Sequence, residues 1–396
     1  MSALRNRIDD LADRLRPHYQ RFLGQLEGEV LMTAHSHQAW PDVSRQAHLQ
    51  AWDDAARWAD KKWAHVFETV LPRFQRGVSD RLGSPRSHDV AIGLNTHELT
   101  ARLLSCFPKD AVVLTTDQEF HSVRRQLLRS KEAGLRVEEL PASPLSDFAS
   151  RFVTRAQALR PHLAVLSHVF FTTGAVVSDV KAVLTAMAEL RIPVVVDTYH
   201  SFNVLQIEAS TWPGDVFVVG GGYKYAQTGE GACWMLVPEQ AEQYRPEFTG
   251  WFADFEHLEA PEDTVRYGPR AQRFMGSTFD PTPFYRGGAV FDFMDQQGLT
   301  PAVLQQAALD RTQLLIDLYD DMELARQGLD LATPRAPHRR AGFVAFRRDD
   351  APTLCDTLRQ SGFRTDVRGS LLRFGPAPYS TSEEIERALL SLSKIL

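Results

Sequence analysis

Short apolar runs rich in β-branched residues recur through the middle of the chain, and the longer stretches between them carry apolar residues at helical spacing. The runs are VAIGL at 90–94, AVVLTT at 111–116, LRVEEL at 135–140, HLAVLSHVFF at 162–171, IPVVVD at 192–197, DVFVVGG at 215–221 and ACWMLVP at 232–238. Alternating with helical stretches such as VLTAMAEL at 183–190, they predict an α/β layer around a mostly parallel, seven-stranded sheet with buried strands. At the start, Leu4, Ile8, Leu11 and Leu15 fall at the spacing of an amphipathic helix. From about residue 290 the rhythm changes to long helical segments around FVAFRR at 343–348 and SLLRFGP at 370–376, which read as strands of a second, smaller α+β domain. Residues 24–80, rich in Trp, His and Arg, follow neither pattern, and no internal repeat or low-complexity linker interrupts the chain.

Composition narrows the classes of function more than it names one. With 396 residues, 43% hydrophobic and 24% charged, the chain is long enough for two domains, or for one large domain with an appendage. A formal net charge of -6 provides no electrostatic footprint for nucleic acid or an anionic membrane. The charged amino-terminal helix lacks the apolar region of a signal peptide, and nowhere do 18 apolar residues run together as a membrane span requires. Cys106, Cys233 and Cys355 form no CxxC, which suits a reducing cytoplasm and argues against structural zinc. The 13 histidines show no HExxH or similar spacing, so no metal site is expected.

Three features fall at strand ends, where open α/β sheets bind their ligands. In GLNTHELTARLL at 93–104, Asn95 and Glu98 form a capping-box-like helix start that leaves the backbone N–H groups of Thr96 and His97 at the positive helix end, a place for a phosphate or simply an ordinary cap. In VVVDTYHSFN, Asp197 closes a strand with His200 three residues on; a carboxylate there can hold a protonated heterocycle nitrogen, although an Asp at a strand end can equally cap a helix or bind a metal, and the His can be packing. In DVFVVGGGYKY, Lys224 follows a strand and three glycines and lies between Tyr223 and Tyr225. It reads either as a solvated lysine in a turn or as an amine kept partly desolvated for Schiff-base chemistry. An anion site, an acid for a pyridine nitrogen and a Schiff-base lysine together are the requirements of pyridoxal phosphate. A nicotinamide site fits less well, because GGGYK lacks the GxGxxG spacing and comes late in the strand series.

These motifs resemble those of the kynureninases, within the class V aminotransferase group of fold-type I pyridoxal-phosphate enzymes. GYKYAQTGEG at 222–231 is similar to the family's SYKYLN-G-GG, which implies that Lys224 is the Schiff-base lysine and Tyr223 a phosphate-binding tyrosine. The family's D-x-x-H matches Asp197 and His200, and its GWFGH resembles GWFAD, with Trp251 beside the phosphate or substrate. AHSHQAWP resembles GNSLGLQP and maps Ser36 onto the substrate side, as WAHVFETVLP does His65; LLRFGPAPYS is similar to IRFGFTPLY and makes Arg373 the grip on the substrate α-carboxylate. The ring-stacking loop NFPTD is matched by EFHSV, which keeps Phe120 but replaces Pro-Thr-Asp with His121, Ser122 and Val123 and so loses a second carboxylate near the ring; EFHS also resembles the EHHS of cysteine desulfurases. In RFMGSTFDPTPF, Ser277 or Thr278, with Thr282 as the other choice, matches the segment that reaches a neighbouring subunit's cofactor.

The resemblance implies a cytoplasmic homodimer with pyridoxal phosphate as cofactor, a small amino-acid substrate and no nucleic-acid or membrane partner. Its domains would be an amino-terminal segment 1–60 packing on the small domain or on the dimer partner, a large cofactor-binding domain 61–289 and a small domain 290–396. Thr96, His97, Phe120, Asp197, His200, Tyr223, Lys224, Trp251, Ser277 and Thr278 would hold the cofactor, and Ser36, His65, Trp251 and Arg373 the substrate. The implied reaction is cleavage of the Cβ–Cγ bond of L-kynurenine or 3-hydroxykynurenine, a step of tryptophan catabolism, with Lys224, Asp197 and Tyr223 catalytic. A class V aminotransferase, or a carbon–sulfur lyase or cysteine desulfurase acting on another amino acid, shares most of these residues. A desulfurase would need a mobile catalytic cysteine, and Cys355 lies in a helical pattern that suits burial. A binding or regulatory protein that kept the scaffold is the non-enzymatic alternative.

Overall fold

The computed structural model describes residues 2–259 and 263–396. A short strand β1 (Val30–Leu31) precedes the main sheet, whose strands are β2 (Val90–Gly93), β3 (Val112–Thr116), β4 (Arg136–Leu140), β5 (Leu163–Ser167), β6 (Val194–Asp197), β7 (Val216–Gly221) and β8 (Cys233–Leu236). Their order is β2-β8-β7-β6-β5-β3-β4; every pairing is parallel except the two made by β8. All seven expected apolar runs are strands of this sheet. β4 is an edge strand and partly exposed, which is why LRVEEL carries charge while the other six strands are buried throughout.

Period-two alternation sends neighbouring residues into two cores. Leu114, Leu166, Val194, Val196, Val218 and Trp234 join one cluster, while Val113, Val165, Val195, Phe217 and Met235 join the other. The helices Thr96–Leu104 and His121–Glu132 cover the second face, and Phe148–Leu159, Val180–Glu189, Leu71–Arg81 and Thr282–Gln296 the first. Residues 24–80 gave no clear period because the helix Val43–Trp58 buries only Ser44, Ala51 and Asp54, and because a π-helical turn at Val66–Val70 shifts the phase before Leu71–Arg81.

A third core gathers around the helices Pro301–Asp321 and Ser382–Ser393 and a four-stranded antiparallel sheet of β9 (Asp330–Leu331), β10 (Val344–Arg347), β12 (Asp366–Arg368) and β13 (Leu371–Phe374), while β11 (Phe363–Arg364) pairs with β1 in parallel. The amino-terminal helix Ser2–Leu15 places Ile8 in this core and Leu15 in the main one, and the helix Thr282–Gln296 runs through position 290. Among the described residues, no helix is long and apolar enough to cross a membrane and no group of three or more His, Cys, Asp or Glu could hold a metal.

Candidate active site

At the carboxyl edge of the parallel strands the chain brings together residues far apart in sequence. Ser167 at the end of β5 is in register with Asp197 at the end of β6, and Gly221 at the end of β7 with Cys233. Around them lies a cavity of about 230 Å³ lined by Thr96, His97, Phe120, Asp197, His200, Tyr223 and Lys224, with Ser167, Phe171, Tyr199 and Cys233 between them. The glycines before Lys224 permit this crowding: a Cβ at Gly221 would lie 2.4 Å from the Tyr199 hydroxyl, and one at Gly222 2.2 Å from Thr228 Oγ1.

Lys224 is buried, with Nζ 3.0 Å from His200 Nε2 and 4.7, 4.8 and 5.5 Å from the ring centres of Tyr199, Phe120 and Tyr223. Loss of solvent pushes its pKa down to about 7, with Asp197 opposing and Arg373 adding to the fall. Burial, then the charge of Lys224, holds the His200 imidazole well below its usual range, so the ring stays neutral and can share a proton with the amine. Burial raises Asp197, and only the Tyr199 backbone N–H (2.8 Å) and Lys224 pull it back. A buried carboxylate so thinly supported favours a cation placed beside it.

Asn95 caps the helix Thr96–Leu104 by accepting the Glu98 N–H at 2.8 Å, but Glu98 turns to Arg102 at 2.8 Å instead of back to Asn95, so the expected capping box is a simple N-cap. The helix start still points at the cavity through Thr96 and His97.

Arg373 is buried beside this cavity but does not line it. Its Nε and Nη2 donate to Asp366 and its Nη1 to the Phe171 carbonyl; Asp366 also holds His35 Nε2 at 2.9 Å. A guanidinium has five N–H groups, so one remains on each terminal nitrogen for a further acceptor. His35 and Arg373 hold the Asp366 carboxyl far below the usual carboxylate range against the opposing effect of burial, which itself pushes His35 down to about 4. Ser36 bonds the Thr33 carbonyl at 3.3 Å, and the neighbouring His37, rather than Ser36, stacks on Tyr223 at 5.1 Å.

The remaining expected residues lie elsewhere in the single chain. His65 faces Asp54 at 3.7 Å and the rings of Trp58 and Tyr285. Trp251 is 43% exposed, stacks on Phe252 and borders a separate cavity of about 570 Å³ with Trp63, Phe67 and Phe255. Ser277 and Thr278 line a small hollow beside Arg102, and the Phe252 N–H reaches the Gly276 carbonyl at 3.1 Å, so Trp251 and Ser277 belong to one patch. Thr282 begins the helix Thr282–Gln296.

Sequence reasoning missed Glu119, Ser167, Tyr199, Cys233 and Asp366. Ser167 was within reach of the strand-end argument already applied to Asp197. Cys233 was hidden because β8 runs antiparallel, which puts its first residue at the edge where the other strands end. For Asp366, a carboxylate seven residues before a candidate substrate arginine is a signal once the pair is recognised as a two-strand hairpin.

A buried amine, a strand-end carboxylate, a stacking ring and a helix start around one cavity are a donor set that fits pyridoxal phosphate. The cystine C–S lyase C-DES with its product cysteine persulfide superposes with a TM-score of 0.80 over 93% of this chain and 98% of that one, at 16% identity. A C-DES form with glycine covalently linked to its PLP cofactor gives 0.82 over 94% and 98%, at 17% identity. The fold is thus that of the fold-type I pyridoxal-phosphate enzymes, as found in the class V aminotransferase and cysteine desulfurase group.

Residues 304–392 match the kynureninase C-terminal domain. The kynureninase of Geobacillus thermodenitrificans (strain NG80-2) is 23% identical over 309 residues, 73% of this chain and 66% of that enzyme, just under two thirds of its length. An uncharacterised aminotransferase of Bacillus subtilis (strain 168), YcbU, is 22% identical over 386 residues, covering 95% of this chain and 97% of its own. The chain is thus similar to kynureninases over part of its length and to an uncharacterised aminotransferase over nearly all of it.

Proposed function

We propose that this protein is a pyridoxal-phosphate-dependent hydrolase that cleaves the Cβ–Cγ bond of L-kynurenine, 3-hydroxykynurenine or a related aryl-ketone amino acid, giving an anthranilate and L-alanine. The observation that carries the cofactor part is Lys224, an amine poised near neutrality between neutral His200 and the Asp197 carboxylate. The matches to kynureninases, including the domain that contains Arg373, support the substrate part.

When bound, the cofactor supplies an electron sink for a carbanion at the substrate Cα. Lys224 would anchor it, Asp197 would hold a proton at its ring nitrogen, Phe120 would pack against its ring, and the Thr96 and His97 N–H groups with Tyr223 would take its phosphate. The remaining N–H groups of Arg373 would receive the substrate α-carboxylate, and Asp366 fixes the plane of that guanidinium. Lys224, with His200 at 3.0 Å beside it, would move the α-proton. Burial pushes the Tyr223 phenol up to about 12, so it serves as a proton donor and relay rather than as a phenolate. In a cytoplasmic homodimer, the patch of Trp251 with Ser277 or Thr278 would complete the neighbouring site.

A second reading, a carbon–sulfur lyase, is favoured by the superposition on C-DES and by the EFHS segment. A desulfurase using a cysteine nucleophile has less support, since Cys355 and Cys233 are buried and burial raises the Cys233 thiol to about 11. Supplying kynurenine, cystine, cysteine, aspartate and alanine in turn, and measuring anthranilate plus alanine against sulfide, pyruvate and other keto acids, separates the readings. A tenfold higher kcat/KM for any aliphatic or sulfur amino acid removes the kynurenine assignment.

A further inference from the structure

Glu119 sits in the turn between β3 and the helix His121–Glu132, one residue before Phe120, where a charged side chain normally meets water. Instead it is only 2% exposed. Its Oε1 accepts the Thr116 hydroxyl at 2.7 Å and the Ser167 backbone N–H at 3.1 Å, and its Oε2 lies 2.6 Å from Ser167 Oγ. Ser167 borders the cavity and is the register partner of Asp197. Of the charged groups, Asp197 on β6 acts on Glu119 directly, and Lys224 acts on Asp197; the side chains bonded to Glu119 from its own turn and from β5 are the neutral Thr116 and Ser167, Asp117 of the same turn accepts from the Ala142 N–H, and His121 is exposed. Lys224 thus pulls Asp197 back toward its charged form, while Glu119 is pulled back by its hydrogen bonds alone.

We infer that Glu119 is a positioning residue that sets the polarity of the Ser167 hydroxyl toward the bound ligand. Ionised, Glu119 takes the Ser167 proton, and the hydroxyl oxygen presents only lone pairs to the cavity. Protonated, it donates to that oxygen and frees the Ser167 O–H to donate into the cavity. Burial raises Glu119 to about 7, with its three hydrogen bonds opposing and Asp197 adding, so both states are accessible near neutral pH. The inference rests on the reading of the cavity as a pyridoxal-phosphate site, because it needs a ring whose ionisable groups sense the polarity of a neighbouring hydroxyl.

The test is a pH titration of the visible absorbance of the cofactor-loaded protein, with cofactor content and Tm measured alongside. Glu119→Gln, whose carbonyl keeps the contacts to the Thr116 hydroxyl and the Ser167 N–H so that its NH2 donates to Ser167 Oγ, is expected to shift the midpoint by at least about half a pH unit while keeping cofactor content. In a Ser167→Ala background the same substitution is expected to shift it by less than half as much, because the path is gone. An unmoved midpoint in Glu119→Gln, or an equal shift in both backgrounds, overturns the inference. If Glu119→Gln does not fold, Ser167→Ala alone decides: an unmoved midpoint again overturns it. Failure of the wild type to form a borohydride-reducible adduct at Lys224 instead overturns the cofactor reading, and this inference with it.

Discussion

Two hollows of the molecule differ in what their walls can do. The hollow of about 570 Å³ is walled mainly by rings, Trp63, Phe67, Trp251, Phe252 and Phe255, and two of these, Trp251 and Phe255, are 43% and 50% exposed. The hollow of about 230 Å³ contains a buried lysine, a buried aspartate and a buried histidine within one hydrogen-bonded neighbourhood. Volume and apolarity mark a surface that gains from being covered, whereas shifted protonation equilibria mark a place where bonds change. The smaller hollow carries the groups that bond-changing chemistry needs, and the larger carries the apolar rings of a surface that gains from being covered.

The comparison breaks most readily at Lys224. Lys224→Ala is expected to abolish the borohydride-reducible cofactor band and to lower turnover by more than about 10⁴-fold, the upper range for a group that moves protons; a retained band would move the chemistry elsewhere. Because only the neutral amine attacks an aldehyde, and burial brings its pKa to about 7, cofactor capture by the cofactor-free protein should accelerate as pH rises through that value and then level off. A rate still climbing steeply toward the ordinary lysine range would show that Lys224 is solvated. Asp366→Asn should raise KM by about 10- to 100-fold with little change in kcat, since a charged hydrogen bond contributes roughly 1.5–3 kcal/mol and Asp366 orients Arg373 rather than the reacting bond. An equal fall in kcat would place it in the chemistry. The smallest effect is expected at His65, where replacement by Ala should change kcat/KM by no more than about 2-fold, the range for sites away from key features; a tenfold loss would connect the region around Trp58 and Tyr285 to the substrate.

Strands buried on both faces write their apolar character directly into the sequence, which is why every strand of the main sheet could be read. The residues that gather around the Lys224 cavity were nearly as legible, because Asp197 closes β6, Thr96 begins a helix and Lys224 follows closely on β7. The surroundings of Arg373 were not. Arg373 shares its guanidinium with Asp366 and Phe171, a fact of cross-strand pairing that no local pattern records. Glu119 was equally hidden, since a turn carboxylate followed by a phenylalanine looks the same in sequence whether it faces water or lies beneath a sheet edge. Trp251 and Ser277 matched motifs, yet in one chain they lie on a patch away from the Lys224 cavity.

The pairing of β1 with β11 also sets a timetable. Val30 lies against Phe363, Thr33 bridges to Gly375, and the Ile8 carbonyl accepts from Arg311, so these residues find their partners far along the chain. Contacts so distant in sequence form slowly, and until the helix Pro301–Asp321 and the strands after it are made, Ile8 and Met32 have no core to enter. His35, which steadies Asp366, arrives with that same segment. During synthesis the main sheet and Lys224 can be assembled before Asp366 and Arg373 have been made, so the two sides of the proposed site are completed at different times.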